Sequence, residues 1–350
     1  MEVYLDNATA TLIDEDVFAA MLPYLRGNYG APGATHAYGR AANTIIEKNR
    51  SRVAAILGVS GEEITFTSGD AESLRLAITS AIENTGVDHI ITTKFEHPAT
   101  AAIFWALQRK FNVRISYVKH YDDGAIDFGH LAFLLRTNTR NFISFSHANI
   151  ETGNLNDIEK ITDLAGHYKA LLHIDAIYTT GHFSYDLSKI DFLSASADRF
   201  HGPAGIGFLY NRSGTRLVAS NMESSYVAGI VGLSKALELA YSDLDHRREY
   251  INQLKQRLAS ELSELIPDSE IIGNSAIDKK GHFAFLSIRF LSLFKSRSLI
   301  HYLDESGISV SGKSHSRFET IHFTFSKYNT PEEIDYVIDH LSGIYERVSY

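Results

Sequence analysis

Short runs of β-branched and aromatic residues alternate with amphipathic stretches over residues 63–210. Seven such runs lie at 64–66, 89–92, 113–117, 141–145, 171–174, 192–194 and 206–210. Between several of them, apolar residues recur every three or four positions, as in 71–82 and 158–168. This alternation predicts an α/β fold with a mostly parallel seven-stranded sheet flanked by helices.

The pattern changes after Tyr210. A long helical stretch is followed by two strand-like runs and a last helix, at 231–265, 281–288, 320–325 and 331–345. We expect a smaller α+β domain here, joined to the large domain near residue 250 by a continuous helix. The predicted division is a large domain over 14–250 and a small domain formed by 1–13 and 251–350. Only 6 prolines and no flexible Gly/Ser tract predict that the two pack closely.

Charge and hydropathy limit the classes of partner. The 350 residues hold 33 Lys and Arg against 42 Asp and Glu, a formal charge of −9, and the basic residues are scattered. We therefore expect no nucleic-acid partner. The chain has no apolar run of membrane-spanning length and no signal-peptide pattern at residues 1–6. We expect no membrane association and a cytoplasmic location.

The absence of cysteine restricts the chemistry. With no cysteine among the 350 residues, the chain has no disulfide, no thiolate metal ligand and no thiol nucleophile. We expect no metal site.

Two motifs open predicted helices. Residues 67–73, Thr-Ser-Gly-Asp-Ala-Glu-Ser, follow a strand, so that the helix N-terminus could receive a phosphate. Taken alone, the motif favours simple capping by Ser68 or Asp70. Residues 96–99, Glu-His-Pro-Ala, place His97 at the mouth of the sheet, where it could stack on an aromatic ligand or serve as an ordinary capping or surface residue.

Two further motifs end strands. Asp175 follows the apolar run 171–174, and a buried carboxylate needs a partner, either a protonated pyridine nitrogen or a backbone amide or hydroxyl. Residues 196–207, Ser-Ala-Asp-Arg-Phe-His-Gly-Pro-Ala-Gly-Ile-Gly, form a glycine-bounded turn. By itself the Asp198–Arg199 pair is typical of a polar surface turn.

Nine segments in order nevertheless resemble one family. They lie at 4–9, 30–40, 63–69, 96–99, 147–149, 173–176, 196–207, 229–233 and 331–335. The chain resembles the class V aminotransferases and cysteine desulfurases. The resemblance implies the fold type I architecture of pyridoxal phosphate (PLP) dependent transferases, and a homodimer with sites at the subunit boundary.

The resemblance assigns some cofactor contacts that the chain keeps. His97 matches the residue that stacks on the pyridine ring, Asp175 the partner of its nitrogen, and Ser196 a phosphate ligand. At the phosphate, Asp70 and Ala71 stand where the family has Ala-Thr, which removes a hydroxyl. Ser224 keeps a hydroxyl that reaches the neighbouring subunit, but Glu223 beside it adds negative charge.

Other positions lose the expected chemistry. Arg199 replaces the lysine that forms the Schiff base with PLP, and a permanently protonated guanidinium cannot form that imine. His315 stands at the sulfur-accepting cysteine, and His322 at the arginine that binds the substrate carboxylate, with Arg317 as a nearby substitute. Ile150 and Tyr178 replace residues that hydrogen-bond the phenolic oxygen of the cofactor.

These losses predict a protein unable to form the internal aldimine or a persulfide. We expect a non-catalytic homologue that binds a partner protein or a small anionic ligand, with PLP non-covalent if it binds at all. One alternative is an enzyme that holds PLP or pyridoxamine phosphate without an internal imine and uses His97 or Lys313 as the acid–base group. Another is an ordinary family enzyme whose lysine turn lies elsewhere. Arg199 would either anchor a bound cofactor or plug the pocket by pairing with Asp198 or Glu223.

Overall fold

The computed structural model describes residues 1–27, 29–96, 98–137, 140–215, 217–218, 224–276, 280–291, 298–315 and 317–348. The helices are α1 Glu15–Arg26, α2 Ala37–Leu57, α3 Asp70–Thr85, α4 Pro98–Phe111, α5 Phe128–Arg136, α6 Ile158–Tyr168, α7 Val227–Ser242, α8 Leu244–Leu265, α9 Leu299–Glu305 and α10 Pro331–Val348. The strands are β1 Val3–Tyr4, β2 Ile64–Thr67, β3 His89–Thr92, β4 Arg114–Tyr117, β5 Asn141–Ser146, β6 Leu171–Asp175, β7 Phe192–Ser196, β8 Gly207–Asn211, β9 Ser269–Ile271, β10 Phe285–Leu291, β11 Ile308–Ser309, β12 Ser311–Ser314 and β13 Phe318–Thr324.

The large sheet confirms the predicted α/β core. Its seven strands follow the order β2-β8-β7-β6-β5-β3-β4, and each of the seven predicted runs forms one of them. Neighbours from β7 through β4 are parallel, whereas β8 runs antiparallel to both β7 and β2. The strands β5 to β7 are almost fully buried because helices cover both faces of the sheet.

Local signals in the sequence set the covering helices. In α6, for example, Asp157 caps the first turn by accepting the amide of Lys160 at 3.1 Å. Ile161 and Ala165, four positions apart, are buried against the sheet, and Lys169 ends the helix in the left-handed conformation. The amphipathic pattern at 158–168 therefore predicted this helix correctly.

A second, antiparallel sheet carries the C-terminal part of the chain. Its order is β12-β13-β10-β9, and β1 pairs in parallel with β11 nearby. A separate apolar cluster joins this sheet to the buried faces of α8 and α10. The predicted runs at 281–288 and 320–325 correspond to β10 and β13, as expected for an α+β unit. The domain boundaries near residues 14 and 250 stay predictions.

The predicted continuous helix over 231–265 is wrong. It divides at Asp243, whose backbone leaves the helical region (φ −136°, ψ 39°), into α7 and α8. Arg247 in α8 donates to the carbonyl oxygen of Ala240 at 2.6 Å, which satisfies an acceptor left free at the end of α7.

Candidate functional site

Arg199 lies on the short turn that follows β7, and its guanidinium binds the N-terminal segment. Its Nη1 donates to the carbonyl oxygen of Ala8 at 2.6 Å and also to that of Thr9. Its Nε lies 3.9 Å from Asp198 Oδ1, and the guanidinium carbon lies 5.8 Å from the centre of the Tyr178 ring. Arg199 is therefore a structural tie between the large sheet and the N-terminal segment.

Asp175 is buried at the carboxyl end of β6, the central strand of the large sheet. Its Oδ1 accepts the amide of Ile177 at 3.0 Å. Burial, together with the nearby Glu96 and Asp70 carboxylates, raises the pKa of the carboxyl from 3.8 to about 7. The backbone amide named among the sequence alternatives is thus a partner, and the group still fits the protonated nitrogen of a pyridine ring.

Two acidic residues lie where the resemblance places a phosphate. The hydroxyl of Ser196 donates to Asp198 Oδ1 at 2.6 Å, so it is already engaged with an anion of the chain itself. Asp70 is the first residue of α3, and Ala71 beside it has no hydroxyl. Because like charges repel, this arrangement disfavours a phosphate dianion.

The turn before α3 does not cap as the sequence predicted. Gly69, with φ 140°, is the N-cap, and neither Ser68 nor Asp70 supplies a side-chain cap bond. Instead Glu72 reaches back and accepts both the amide and the hydroxyl of Ser68, at 2.7 and 2.8 Å. A carboxylate of the chain therefore occupies part of the donor set that could receive a bound anion.

Tyr178 lies among four charged side chains. Burial raises the pKa of its phenol to about 12; the Arg199 guanidinium lowers it, and Asp175, Asp70 and Asp198 raise it. These four charged groups therefore act on one ring, and three of them are acids. The edge of that ring packs on Phe285 at 5.8 Å between centroids. Ile150 is the other position where the family has a hydrogen-bonding residue. Ile150 and Tyr178 both pack against the apolar cluster of the second sheet.

The residues predicted for the substrate side do not converge on Arg199. His315 and Arg317 are exposed in the turn between β12 and β13, and the His315 ring packs on Phe318 at 4.6 Å. His322 is buried in β13, where its Nδ1 lies 2.9 Å from Ser287 Oγ. Burial lowers the pKa of His322, which therefore stays neutral, so it cannot replace an arginine as a carboxylate clamp.

Lys313, weighed as a substitute base, lies on β12 rather than in a loop. It forms an ion pair with Glu151, and both side chains are about half exposed.

Ser224 already has hydrogen-bond partners within the chain: its amide donates to the carbonyl of Phe66 at 3.0 Å, and its hydroxyl accepts the amide of Tyr226 at 3.3 Å. His97 and Glu223 lie outside the described residues, so their assigned roles stay predictions.

Sequence reasoning missed two features of the cleft. It did not assign the carbonyls of Ala8 and Thr9 to Arg199, because no local pattern joins positions about 190 residues apart. It also left Glu96 without a role; this partly buried carboxylate accepts the hydroxyls of Ser146 and Thr93 at 2.6 and 2.7 Å.

Comparison with known proteins decides the family. The profile described as class-V aminotransferase matches residues 3–223 and 219–337. The chain belongs to the class-V aminotransferase family. Within it, the chain is 32% identical over 384 residues to a cysteine desulfurase IscS of Dictyoglomus turgidum, covering 99% of this chain and 95% of that one. A cysteine desulfurase of Klebsiella pneumoniae is likewise 32% identical, over 99% of this chain and 94% of that one.

Solved structures agree with the family. A NifS-like protein superposes with a TM-score of 0.90 at 30% identity, covering 99% of this chain and 100% of that one. The fold is also that of an apo cysteine desulfurase from Thermococcus onnurineus NA1, with a TM-score of 0.83 at 21% identity, over 98% and 94% of the two chains. The fold type I PLP transferase architecture expected from the sequence is therefore confirmed.

The family is PLP-dependent, but the described residues of this member do not fit the whole cofactor. Asp175 suits the ring nitrogen. Arg199 cannot form an imine, and its Nη1 is bound to backbone carbonyls. The Ser196 hydroxyl, which would face the phosphate, is bound to Asp198. The described residues therefore support no reaction step through PLP.

Within the described ranges, no helix is long and apolar enough to cross a membrane. No group of three or more His, Cys, Asp or Glu side chains in this part of the chain could hold a metal ion.

Proposed function

We propose that this chain is a non-catalytic member of the class-V aminotransferase family, a cytoplasmic homologue of the cysteine desulfurases that forms neither the internal aldimine nor a cysteine persulfide. The observation that carries the proposal is the bond from Arg199 to the carbonyl of Ala8. The distance of 3.9 Å between Arg199 Nε and Asp198 Oδ1 supports the pairing with Asp198 that was weighed from the sequence.

The substrate side supports the same proposal. The 350 residues contain no cysteine, so no side chain of this chain can carry a persulfide. The position of the carboxylate clamp holds a buried neutral histidine, His322, bonded to Ser287. These losses affect imine formation, sulfur transfer and carboxylate binding, which are three separate steps. At none of the three positions do the described residues supply a side chain of the same chemistry.

The remodelled cleft then serves to bind a partner protein or a small anionic molecule. Asp70 and Asp198 disfavour an anion at the position assigned to the phosphate, which favours a protein partner there. The homodimer implied by the family remains part of the proposal. Phe18, Leu22 and Leu25 of α1 support it, since they form an exposed apolar stripe at helical spacing.

A direct assay tests the loss of activity. Purified protein saturated with PLP is given cysteine, and alanine and sulfide are measured beside an authentic cysteine desulfurase. The proposal predicts no alanine above the level of free PLP. Release of several molecules of alanine per molecule of protein would contradict the proposal.

One observation favours the alternative of an enzyme that holds PLP or pyridoxamine phosphate without an imine. The buried Asp175 carboxyl, with its pKa raised to about 7 by burial, keeps the means to pair with a pyridine nitrogen. Equilibrium dialysis with PLP and pyridoxamine phosphate tests the requirement of this alternative, which is cofactor binding. Micromolar binding that Asp175→Asn abolishes would support the alternative, and no binding would reject it.

A further inference from the structure

The strand β4 forms one edge of the large sheet. It pairs in parallel with β3, and the strand order ends there within the described residues. The strands β3 and β5 separate it from β6, which carries Asp175, so this edge is distinct from the cleft at Arg199. An edge strand has unpaired backbone groups that can pair with the backbone of another chain.

The register shows which backbone groups of β4 are unpaired. The amide of Val118 donates to the carbonyl of Thr92 at 2.9 Å, so the even-numbered residues of β4 face β3. In a parallel ladder successive residues face opposite sides, so the amides and carbonyls of Ile115 and Tyr117 point away from β3. Across the described ranges, no hydrogen bond from outside the sheet reaches these groups. The strand therefore offers donors and acceptors at the spacing of a partner strand.

The segment around β4 is basic, although the whole chain is acidic. Residues 98–121 contain four Lys and Arg and no Asp or Glu, in a chain of formal charge −9. Arg109 and Lys110 lie at the end of α4, Arg114 begins β4, and Lys119 follows it. All four are exposed, and none has a side-chain hydrogen bond or an ion pair in the part of the chain that the structure describes.

Acids near this segment are paired or turned away. Asp88, just before β3, forms an ion pair with Arg140. The turn after the segment holds Asp122 and Asp123, and the carbonyl of Asp123 accepts the side-chain amide of Asn154 at 2.7 Å. Asn154 lies in the loop after β5, on the far side of β3 from β4. The acidic turn therefore leans away from the edge, which keeps its positive charge.

Exposed aromatic side chains accompany this charge. Trp105, the only tryptophan of the chain, is 66% exposed on α4, which packs against β4. It lies four positions before Arg109 and so on the same face of the helix. Tyr117, on β4 itself, is 36% exposed. Aromatic residues and arginine are enriched in protein–protein interfaces, and this edge presents both.

We propose that β4 is a docking edge for an extended acidic segment of another protein, which adds to the large sheet as a further strand. The backbone of that segment pairs with the outward amides and carbonyls of Ile115 and Tyr117. Because side chains alternate along a strand, Arg114 favours acids on one face of the segment, and Ile115 and Tyr117 favour apolar residues on the other. The inference goes beyond the proposed function, which concerns the cleft.

Other roles fit the edge less well. Pairing between two copies of β4 would bring the same four cations of both copies together, which like-charge repulsion disfavours. A nucleic acid could use the cations but not the outward carbonyls, because its phosphates have no N–H donor. Charges on an edge strand can also serve only to prevent aggregation. The exposed Trp105 and Tyr117 argue against that role, since exposed apolar surface promotes association.

A random-sequence peptide library tests the edge without PLP or cysteine, so this inference and the proposed function can fail separately. The library is displayed on mRNA and selected on wild-type protein at about 150 mM salt, and synthetic copies of the enriched peptides are measured by fluorescence anisotropy. We expect these peptides to be acidic, with acids and apolar residues alternating. Methylation of alternate backbone nitrogens of the peptide should weaken binding about tenfold, because it removes strand hydrogen bonds. No enrichment, or no acidic excess, would overturn the proposal.

Variants of the edge locate the binding. Ile115→Pro removes an outward amide that the sheet does not use, and Arg114→Glu reverses one charge at the start of β4. Lys48→Glu, at an exposed position of α2, is the matched control for charge. We expect about tenfold weaker peptide binding to Ile115→Pro, several-fold weaker binding to Arg114→Glu, and no change for Lys48→Glu. Should Ile115→Pro fail to fold, the methylated peptide tests the same backbone bonds.

Three outcomes would contradict the assignment. Equal peptide binding by the wild type and both edge variants would place the site elsewhere. Binding of random-sequence DNA that Arg114→Glu abolishes would identify a nucleic-acid surface. A wild-type oligomer that Ile115→Pro dissociates, measured by light scattering, would identify a second copy of this chain as the occupant.

Discussion

The hydroxyl of Ser196 donates to Asp198 Oδ1 at 2.6 Å, so a carboxylate of the chain occupies a donor that the family resemblance assigns to the phosphate. Asp70 adds a second acid at the start of α3. The site has thus changed in charge as well as in its reactive group. A single exchange at Arg199 would leave both acids in place.

Removing these acids should improve phosphate binding. We expect Asp70→Asn with Asp198→Asn to increase the ratio of PLP to pyridoxal affinity on the order of tenfold, since only PLP carries the phosphate. Equilibrium dialysis with both compounds measures this ratio. Asp186→Asn, which removes one carboxylate at an exposed cap bonded to Ser188, is the control for a change in surface charge. An unchanged ratio in the double variant would mean that the acids do not face the ligand.

Asp175 should destabilise the fold as the pH rises. Its pKa is raised from 3.8 to about 7, so between these values the folded state keeps a proton that the unfolded state has lost. Stability therefore falls as the pH rises through this window, and the loss is complete above about pH 7.

Asp175→Asn removes that ionisation while keeping an acceptor for the amide of Ile177. We expect the variant to gain on the order of 1–3 kcal/mol over the wild type at pH 8 and to match it near pH 4. Urea unfolding at both pH values measures the difference. A less stable variant at pH 8 would show that the charged form has a cationic partner.

Buried histidines should make the fold sensitive to acid. Burial lowers the pKa values of His147, His173 and His182 from 6.5 to about 3. Below pH 6.5 the unfolded state binds protons that the folded state does not, so stability falls by about 1.4 kcal/mol per histidine for each pH unit. Asp175 has the opposite effect on stability, because between pH 3.8 and about 7 its folded state binds one proton that its unfolded state does not.

His147→Phe tests the slope. The new ring can pack on Phe183, whose centroid lies 5.2 Å from that of His147. We expect the slope of unfolding free energy between pH 6 and 4.5 to decrease by about 1.4 kcal/mol per unit. An unchanged slope would mean that His147 titrates alike in both states.

Gly207 lets the turn before α3 approach β8. A Cβ there would lie 2.8 Å from the Cα of Gly69 and would also clash with the carbonyl oxygen of Ala195. Gly207→Ala should therefore cost about 2 kcal/mol or more. Gly166→Ala, in α6 with open space around it, should be neutral or stabilise by up to about 1 kcal/mol. Equal denaturation midpoints for the two variants would contradict this packing.

The large sheet was predictable from the sequence because strands buried on both faces appear as continuous apolar runs. The run at 171–174, for example, became β6 with one residue added. The break at Asp243 was not predictable, since Arg247 satisfies the end of α7 only once the chain has turned. No local pattern could reveal this.

The candidate site was also predictable only in part. Residue identity alone excluded an imine at Arg199 and a persulfide at His315. The contact from Arg199 to Ala8 joins positions 191 residues apart, so only the fold reveals it. The hydrogen bond from the Ser196 hydroxyl to Asp198 was not predictable either, because the sequence of a polar turn does not show which donor its carboxylate will bind.

We expect that no side chain of this protein forms an imine with PLP. Wild-type protein is incubated with equimolar PLP, reduced with borohydride and analysed by peptide mass spectrometry. We predict no lysine with stoichiometric pyridoxyl modification, and a spectrum equal to that of free PLP. One lysine modified to near completion, whether Lys313 or another, would contradict the account.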